Sequence, residues 1–206
     1  MDSNVATNKN TLYPVFLKLE ELNTLLVGAG NVGLEKLHSL LANSPAANIT
    51  IIAPVVKEEV RALISQHPTC CIEERTFSDD DLNNKHLVIC ATDNRVLHLH
   101  IKELCKVKNL LVNVADTPDM CDLYLGSIVQ KGNIKIAIST NGKSPTIAKR
   151  IKEVLADMLP DEMEELLSNM QQIRNGIKGG FDEKVRQLND ITKVLIAKNN
   201  STTAND

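Results

Sequence analysis

The chain has no tryptophan, and only 2% of its 206 residues are aromatic. That is too few rings for the stacking platform that holds single-stranded nucleic acid. An excess of charge of one sign is also missing. Lys plus Arg number 23 and Asp plus Glu 26, a formal net charge of −3, so broad non-specific binding to nucleic acid is not expected. No stretch approaches the roughly 20 consecutive apolar residues of a membrane span. The polar opening MDSNVATNKN lacks the apolar core of a secretion signal. The expectation is a cytoplasmic protein with neither membrane nor nucleic-acid partners. The five cysteines (Cys70, Cys71, Cys90, Cys105, Cys121) include no CxxC pair, which argues against a disulfide framework and a cysteine zinc site. His98 and His100 are two apart on an expected helix and do not share a face. No HxxxH or HExxH spacing occurs, so no resting metal site is expected.

What remains is an ordinary globular balance, 43% hydrophobic and 24% charged, at a length that suits one or two domains. The first ten residues and the last eight, from Asn199, read as disordered tails. Between them, short apolar runs alternate with helical patterns. Strands are expected at Thr24–Gly28, Ile49–Ala53, Cys70–Glu74, Leu87–Ala91 and Leu110–Val114, with helices at Asn31–Asn43, Val55–His67 and Val96–Lys106. That order indicates βαβ units and a parallel sheet. After Asp116 the pattern changes. Tyr124–Gln130 and Ile134–Ser139 flank Lys131-Gly132-Asn133 as a hairpin. Ser144 and Pro145 suit the cap and first position of a helix whose apolar stripe is Ile147, Ile151, Val154, Leu155 and Met158. Two more helices are expected, about Asp161–Lys178 and Phe181–Lys198. The expected class is α/β: a Rossmann-like doubly wound parallel sheet over residues 1–115, a small hairpin-plus-helix element over 116–159, and a helical domain over 160–206.

Val27-Gly28-Ala29-Gly30-Asn31-Val32-Gly33 carries GxGxxG directly after the first strand and before a helix. Gly28 permits the tight turn, Gly30 lets backbone approach a pyrophosphate, and Gly33 lets helix and strand pack closely. In this setting the motif points to a bound dinucleotide. One usual element is absent. The second strand ends Ile52-Ala53-Pro54-Val55, with no acid for a ribose 2′-hydroxyl and no Arg for a 2′-phosphate. Motif logic alone therefore does not choose between NAD and NADP.

Ligands of doubly wound folds bind outside the carboxyl ends of the strands. There the sequence places Thr92, Asp93 and Asn94 after the fourth strand, and Asn113 and Asp116 at the end of the fifth. Asp93 reads either as a helix cap or as part of the cofactor site. Asp116 reads either as a turn residue or as a carboxylate that takes a proton while a hydride leaves.

The runs YPVFLKLEELNTLLVGAGNVGLEKLHSLL, ICATDN and NVADTPDMCDLYLGSIVQKGNIKIAISTNGKSPTIAKRIKEVLADMLP resemble the sirohaem-synthase dehydrogenase family over about residues 12–160. The resemblance implies an NAD-dependent precorrin-2 dehydrogenase that makes sirohydrochlorin. It implies a homodimer, with the hairpin element exchanged between subunits and acting in dimerisation. It puts the catalytic aspartate at Asp116 and cofactor contacts at Asn31, Val32, Pro54 and Val55. In that setting the missing ribose acid is no anomaly, because relatives commonly carry a small residue and proline there. The substrate's eight carboxylates call for cations and free N–H groups. Lys143, Lys149 and Arg150, around the helix that Ser144 precedes, form either an anion site or a solvated face. Ser139 and Thr140 either bind substrate carboxylates or cap the turn. Some relatives also insert ferrous iron, as a transient substrate, and sequence does not separate that bifunctional form. A non-catalytic NAD-sensing module would explain the glycine loop but not NVADTP or STNGKSP. Relatives fused to a methyltransferase run past the length of this chain, so methylation is expected from another protein.

Overall fold

The computed structural model describes residues 9–160, 163–176 and 180–197. The expected terminal tails lie mostly outside these residues, as do the ends of the expected helix Asp161–Lys178. The elements run β1 (Asn23–Ala29), α1 (Asn31–Asn43), β2 (Asn48–Val56), α2 (Glu58–Ile64), β3 (Cys70–Glu73), β4 (Leu87–Cys90), α3 (Arg95–Lys108) and β5 (Leu111–Val114). The hairpin β6 (Ser127–Lys131) and β7 (Ile134–Ile138) follows, then α4 (Pro145–Met158), α5 (Met163–Gly176) and α6 (Phe181–Ala197).

The chain forms two compact units. The first, through Gly126 and again over Ser139–Ser144, is built on a parallel sheet of order β3-β2-β1-β4-β5. Both faces are buried, which is why its strands read as near-continuous apolar runs. Leu26, Ile49, Ile51, Leu87 and Ile89 pack on one face with Leu37, Leu40 and Leu41 of α1 and Val60 of α2. The alternate residues Leu25, Val27, Ile52, Val88, Cys90 and Val112 pack on the other with Ile101 and Cys105 of α3. The expected doubly wound sheet is therefore present. Burial pushes the Cys90 thiol up to about 12 and the Cys105 thiol up to about 11, so both behave as small apolar groups. The strand order reverses at β1 and β4, whose carboxyl ends define the crevice where such folds take ligands.

Several boundaries move for physical reasons. Val55 was expected to open a helix, but β2 runs on to Val56 and α2 starts at Glu58. The pairing jumps from Val27–Ile52 to Ala29–Val56, so Ala53, Pro54 and Val55 form a bulge opposite Gly28. Proline has no N–H to lose at a bulge, which is where sheets tolerate it. Tyr124 was expected in β6. It stays with the first unit instead, its hydroxyl donating to the Pro118 carbonyl at 3.4 Å while Leu123 and Leu125 pack on the sheet's core.

The second unit comprises the hairpin and the residues from Pro145 onward. In it Glu164 of α5 accepts from both the backbone N–H of Asn133 (2.7 Å) and its side-chain amide (2.6 Å), fixing the hairpin turn. Lys131 donates to the Leu159 carbonyl at 2.9 Å, a cation at the C-terminal end of α4. The apolar stripe of α4 is not where a single chain would bury it. Ala148 is the buried residue, while Ile147, Ile151, Val154 and Met158 are exposed. No helix among the described residues is long and apolar enough to cross a membrane.

Candidate active site

The glycine loop shows three different uses of a missing side chain. Gly28 sits at φ +107°, and a Cβ there would lie 2.5 Å from the Ala91 carbonyl oxygen and 2.9 Å from Thr92 Cγ2. A Cβ on Gly33 would run into the Gly28 carbonyl oxygen. Both glycines therefore serve packing between β1, β4 and α1. Gly30 differs: nothing lies within 4 Å of its Cβ position. It precedes α1, whose first turn carries no acidic residue and whose first N–H groups, at Asn31, Val32 and Gly33, have no partner inside the helix. Open space beside free N–H groups at the positive end of a helix fits a pyrophosphate.

The edges of this loop are set by β2 and β4. Pro54 and Val55 are exposed on the bulge at the end of β2. Lys57 follows, and sequence reading passed over it. Its backbone N–H donates to the Ala29 carbonyl at 3.2 Å, and its ammonium donates to Asn31 Oδ1 at 2.7 Å. After β4, Thr92 is half-buried and packs on Gly28. Its hydroxyl accepts the Asn94 N–H at 3.2 Å and meets His98 Nε2 at 2.8 Å. His98 was also missed, having been weighed only as a metal ligand. Burial pushes its imidazole below the usual range, with Asp93 opposing the shift, so it serves as a neutral anchor for Thr92. Asp93 is exposed and is not the cap of α3. That place belongs to Asn94, whose side chain accepts the Leu97 N–H at 3.0 Å.

Asp116 stands just past β5, exposed, at φ +56°. A non-glycine residue in the left-handed region is uncommon and marks a turn held by its surroundings. The Ala115 N–H donates to the Cys90 carbonyl at 2.9 Å, and the Thr117 N–H donates to the Val114 carbonyl at 3.3 Å. Cys121 latches the same turn: its sulfur accepts the Val114 N–H at 3.2 Å and lies within reach of the Val114 and Thr117 carbonyls. Burial pushes this thiol up, keeping it a donor. The Asp116 carboxylate itself has no hydrogen-bond or ion-pair partner among the described residues.

The expected substrate ligands divide. Asn113 does not face the open tip. It is buried, and its amide donates to the Leu123 carbonyl at 2.9 Å, so it ties β5 to the following segment. Ser139 Oγ accepts the Asn141 N–H at 3.2 Å, and Thr140 Oγ1 accepts the Ser144 N–H at 3.2 Å while donating to its carbonyl. Both hydroxyls thus cap the loop. That loop turns through Asn141 and Gly142, both at positive φ, and lays Gly142 against Pro118 and Tyr124. It thereby brings Ser139–Ser144, with exposed Lys143, beside the turn that Asp116 begins. Lys149 and Arg150 belong to the second unit and are exposed, Arg150 pairing with Glu153 at 2.7 Å. Among the described residues no group of three or more His, Cys, Asp or Glu could hold a metal ion.

Residues 15–127 match the family model described as putative NAD(P)-binding, and residues 131–158 match that of the sirohaem biosynthesis protein central region. A siroheme synthase of Pseudoalteromonas atlantica is 30% identical over 92% of this chain and 42% of its own length. One from Pseudoalteromonas translucida is 36% identical over 84% of this chain and 34% of its own. The chain thus spans well under half the length of these curated relatives. A solved structure of SirC, a precorrin-2 dehydrogenase, shares the fold at a TM-score of 0.68 and 24% identity, covering 87% of this chain and 89% of that one. On these matches the chain belongs to the putative NAD(P)-binding family and, with the sirohaem central region after it, to the relatives of the siroheme synthases.

Proposed function

We propose that this chain is a cytoplasmic precorrin-2 dehydrogenase that uses NAD and works as a homodimer. The observation that carries the reading is the pairing of open space at Gly30, before the first turn of α1, with an exposed carboxylate, Asp116, on a backbone turn tied by its neighbours, both at the carboxyl end of one parallel sheet. A nicotinamide bound in this crevice would supply the acceptor for a hydride from the tetrapyrrole. Oxidation to sirohydrochlorin also releases a proton, and Asp116 stands ready to take it. The N–H groups of Asn31, Val32 and Gly33 hold the pyrophosphate, Pro54 and Val55 border the adenosine, and Thr92, fixed by His98, lines the crevice beside Asp93. Lys143, with Ser144 behind it, offers a cation to the substrate's carboxylates; Lys149 and Arg150, exposed on α4 of the second unit, are further cations for carboxylate groups.

The homodimer is supported by the exposed stripe Ile147, Ile151, Val154 and Met158, which a single chain leaves in water. The test of the reaction is anaerobic. Protein, precorrin-2 and NAD are mixed, and the visible spectrum is followed for sirohydrochlorin together with NADH. The expected result is one NADH per sirohydrochlorin. Ferrous iron is added only afterwards; rapid sirohaem formation then identifies a ferrochelatase as well. Nucleotide binding without any NADH formation would overturn the dehydrogenase in favour of a sensing module.

A further inference from the structure

We infer that Tyr124 is a positioning residue for the substrate: its ring seats the loop Ser139–Ser144 so that Lys143 stands beside the turn of Asp116. The inference rests on the function proposed above and adds to it a residue that acts through another. The loop is a tight turn. The Lys143 N–H donates to the Thr140 carbonyl at 3.1 Å, and the two residues between, Asn141 and Gly142, sit at φ +55° and +72°. Asn-Gly is the pair that suits a turn with both central residues in the left-handed region. Thr140 Oγ1 accepts the Ser144 N–H and Ser139 Oγ accepts the Asn141 N–H, both at 3.2 Å. These bonds all lie inside the loop. They fix its shape and leave its place to contacts made outward.

At the tip those contacts are with Pro118 and Tyr124. A Cβ on Gly142 would lie 3.6 Å from Pro118 Cγ and 3.7 Å from Tyr124 Cε1, which is packing distance. At the base, the Asn10 amide reaches the Ser139 carbonyl and hydroxyl at 3.5 and 3.4 Å, both long. The tyrosine itself is firmly rooted. Leu123 and Leu125 on either side pack on the sheet's core, and the Leu123 carbonyl accepts from the buried Asn113 amide at 2.9 Å. Tyr124 thus links β5, through Asn113, with the Asp116 turn, through Pro118, and with the glycine that directly precedes Lys143. Its hydroxyl bond to the Pro118 carbonyl is long, at 3.4 Å, so the bulk of the ring rather than its O–H does the seating.

The experiment is steady-state oxidation of precorrin-2 by the full chain with NAD, for the parent, Tyr124→Ala, Tyr124→Phe, Lys143→Gln and the variant carrying both Tyr124→Ala and Lys143→Gln. Lys143→Gln should raise the KM for precorrin-2 about tenfold, the worth of one charge-assisted hydrogen bond. Tyr124→Ala should raise it as much, with kcat and the KM for NAD within about twofold of the parent. Tyr124→Phe keeps the ring and should restore the parent's KM. The double variant should show the same loss of about tenfold and not one of about a hundredfold, because the two residues act as a unit. If Tyr124→Ala does not fold, Tyr124→Leu, apolar but without the ring that meets Gly142, carries the same test. A parental KM in Tyr124→Ala would overturn the inference, as would losses that multiply in the double variant. A fall in kcat at unchanged KM would overturn it too, placing the effect of Tyr124 on the Asp116 turn. All three results leave the dehydrogenase intact. A parent that forms no NADH with precorrin-2 refutes the proposed function, and this inference with it.

Discussion

Placing alanine at each glycine of the loop separates folding from binding. At Gly28 the new methyl meets the Ala91 carbonyl oxygen at 2.5 Å and its carbon at 2.7 Å, both backbone atoms that cannot step aside. The residue also sits at φ +107°, which costs an L side chain at least the ~1–2 kcal/mol of the left-handed region. Overpacking adds about 1–3 kcal/mol. The total, roughly 2–5 kcal/mol, is a large part of the ~5–15 kcal/mol by which domains are stable. At about 2–4 °C per kcal/mol for a chain of this size, Gly28→Ala should melt roughly 4–20 °C lower. Gly30→Ala meets no atom and has no positive φ. Its cost is that of a poorer helix cap, about 0.5 kcal/mol, or about 1–2 °C. Its methyl would nevertheless fill the open space beside the first turn of α1, and NAD affinity should fall more than about tenfold. Circular dichroism melts and calorimetric titration read the two effects separately. Gly30→Ala binding NAD as tightly as the parent would refute the placement of the pyrophosphate; melting as low as Gly28→Ala would refute the packing argument.

Asp116→Asn should lower the rate of dehydrogenation by about 10²–10⁴-fold, the usual worth of a positioned base, while leaving NAD affinity within about twofold; full activity in steady-state assays would exclude it as the base. Asp116→Gly should lose the activity too, yet melt no lower than the parent, because glycine relieves the φ of +56°. For His98, burial holds the folded-state value below the unfolded one of about 6.5. Its contribution is therefore complete above about pH 6.5 and is lost as the pH falls from there toward the folded value, where the unfolded chain binds the extra proton. His98→Gln should flatten the fall in melting temperature over that acid window, and an identical slope in parent and variant would count against a buried neutral imidazole. Light scattering should give twice the chain mass for the parent and the chain mass for Ile151→Glu, which puts a charge in the middle of the exposed stripe; a monomeric parent would remove the reason given for that stripe.

Much of the sheet was legible in the sequence because its strands are buried on both faces. Thr24–Gly28, Leu87–Ala91 and Leu110–Val114 are predominantly apolar runs, broken only by Thr24 and Asn113, and each found its strand within a residue or two. The glycine loop was legible for the same local reason: strand, turn and helix start are adjacent in sequence. What pairs across the sheet was not. The extension of β2 depends on Val56 reaching Ala29 past a bulge, and Pro54 argues locally for a break. Capping was read one residue early, at Asp93, because aspartate and asparagine are equally good caps and only the turn made by Thr92 chooses between them. Asn113 was placed at the tip by its number, but residues alternate along a strand and its side chain turns to Leu123. The α4 stripe has the right periodicity and the wrong expected neighbour, since periodicity shows that a face is apolar without showing what covers it.

The turn at Asp116 shows why a catalytic assignment gains from backbone as well as chemistry. An aspartate at φ +56° costs energy that a glycine would avoid. The turn around it persists because its neighbours are tied from several directions: Ala115 to β4, Thr117 back to Val114, and Val114 to the Cys121 sulfur. None of these bonds touches the carboxylate, so the constraint falls on where Asp116 points rather than on its charge. A residue kept only for its turn would be better replaced by glycine. On the proposed function, an acid on this turn, exposed at the carboxyl end of β5 and without a partner among the described residues, would be the group that receives the proton. Proton transfer rewards such fixed placement, because the base must lie within hydrogen-bond reach of the proton it takes.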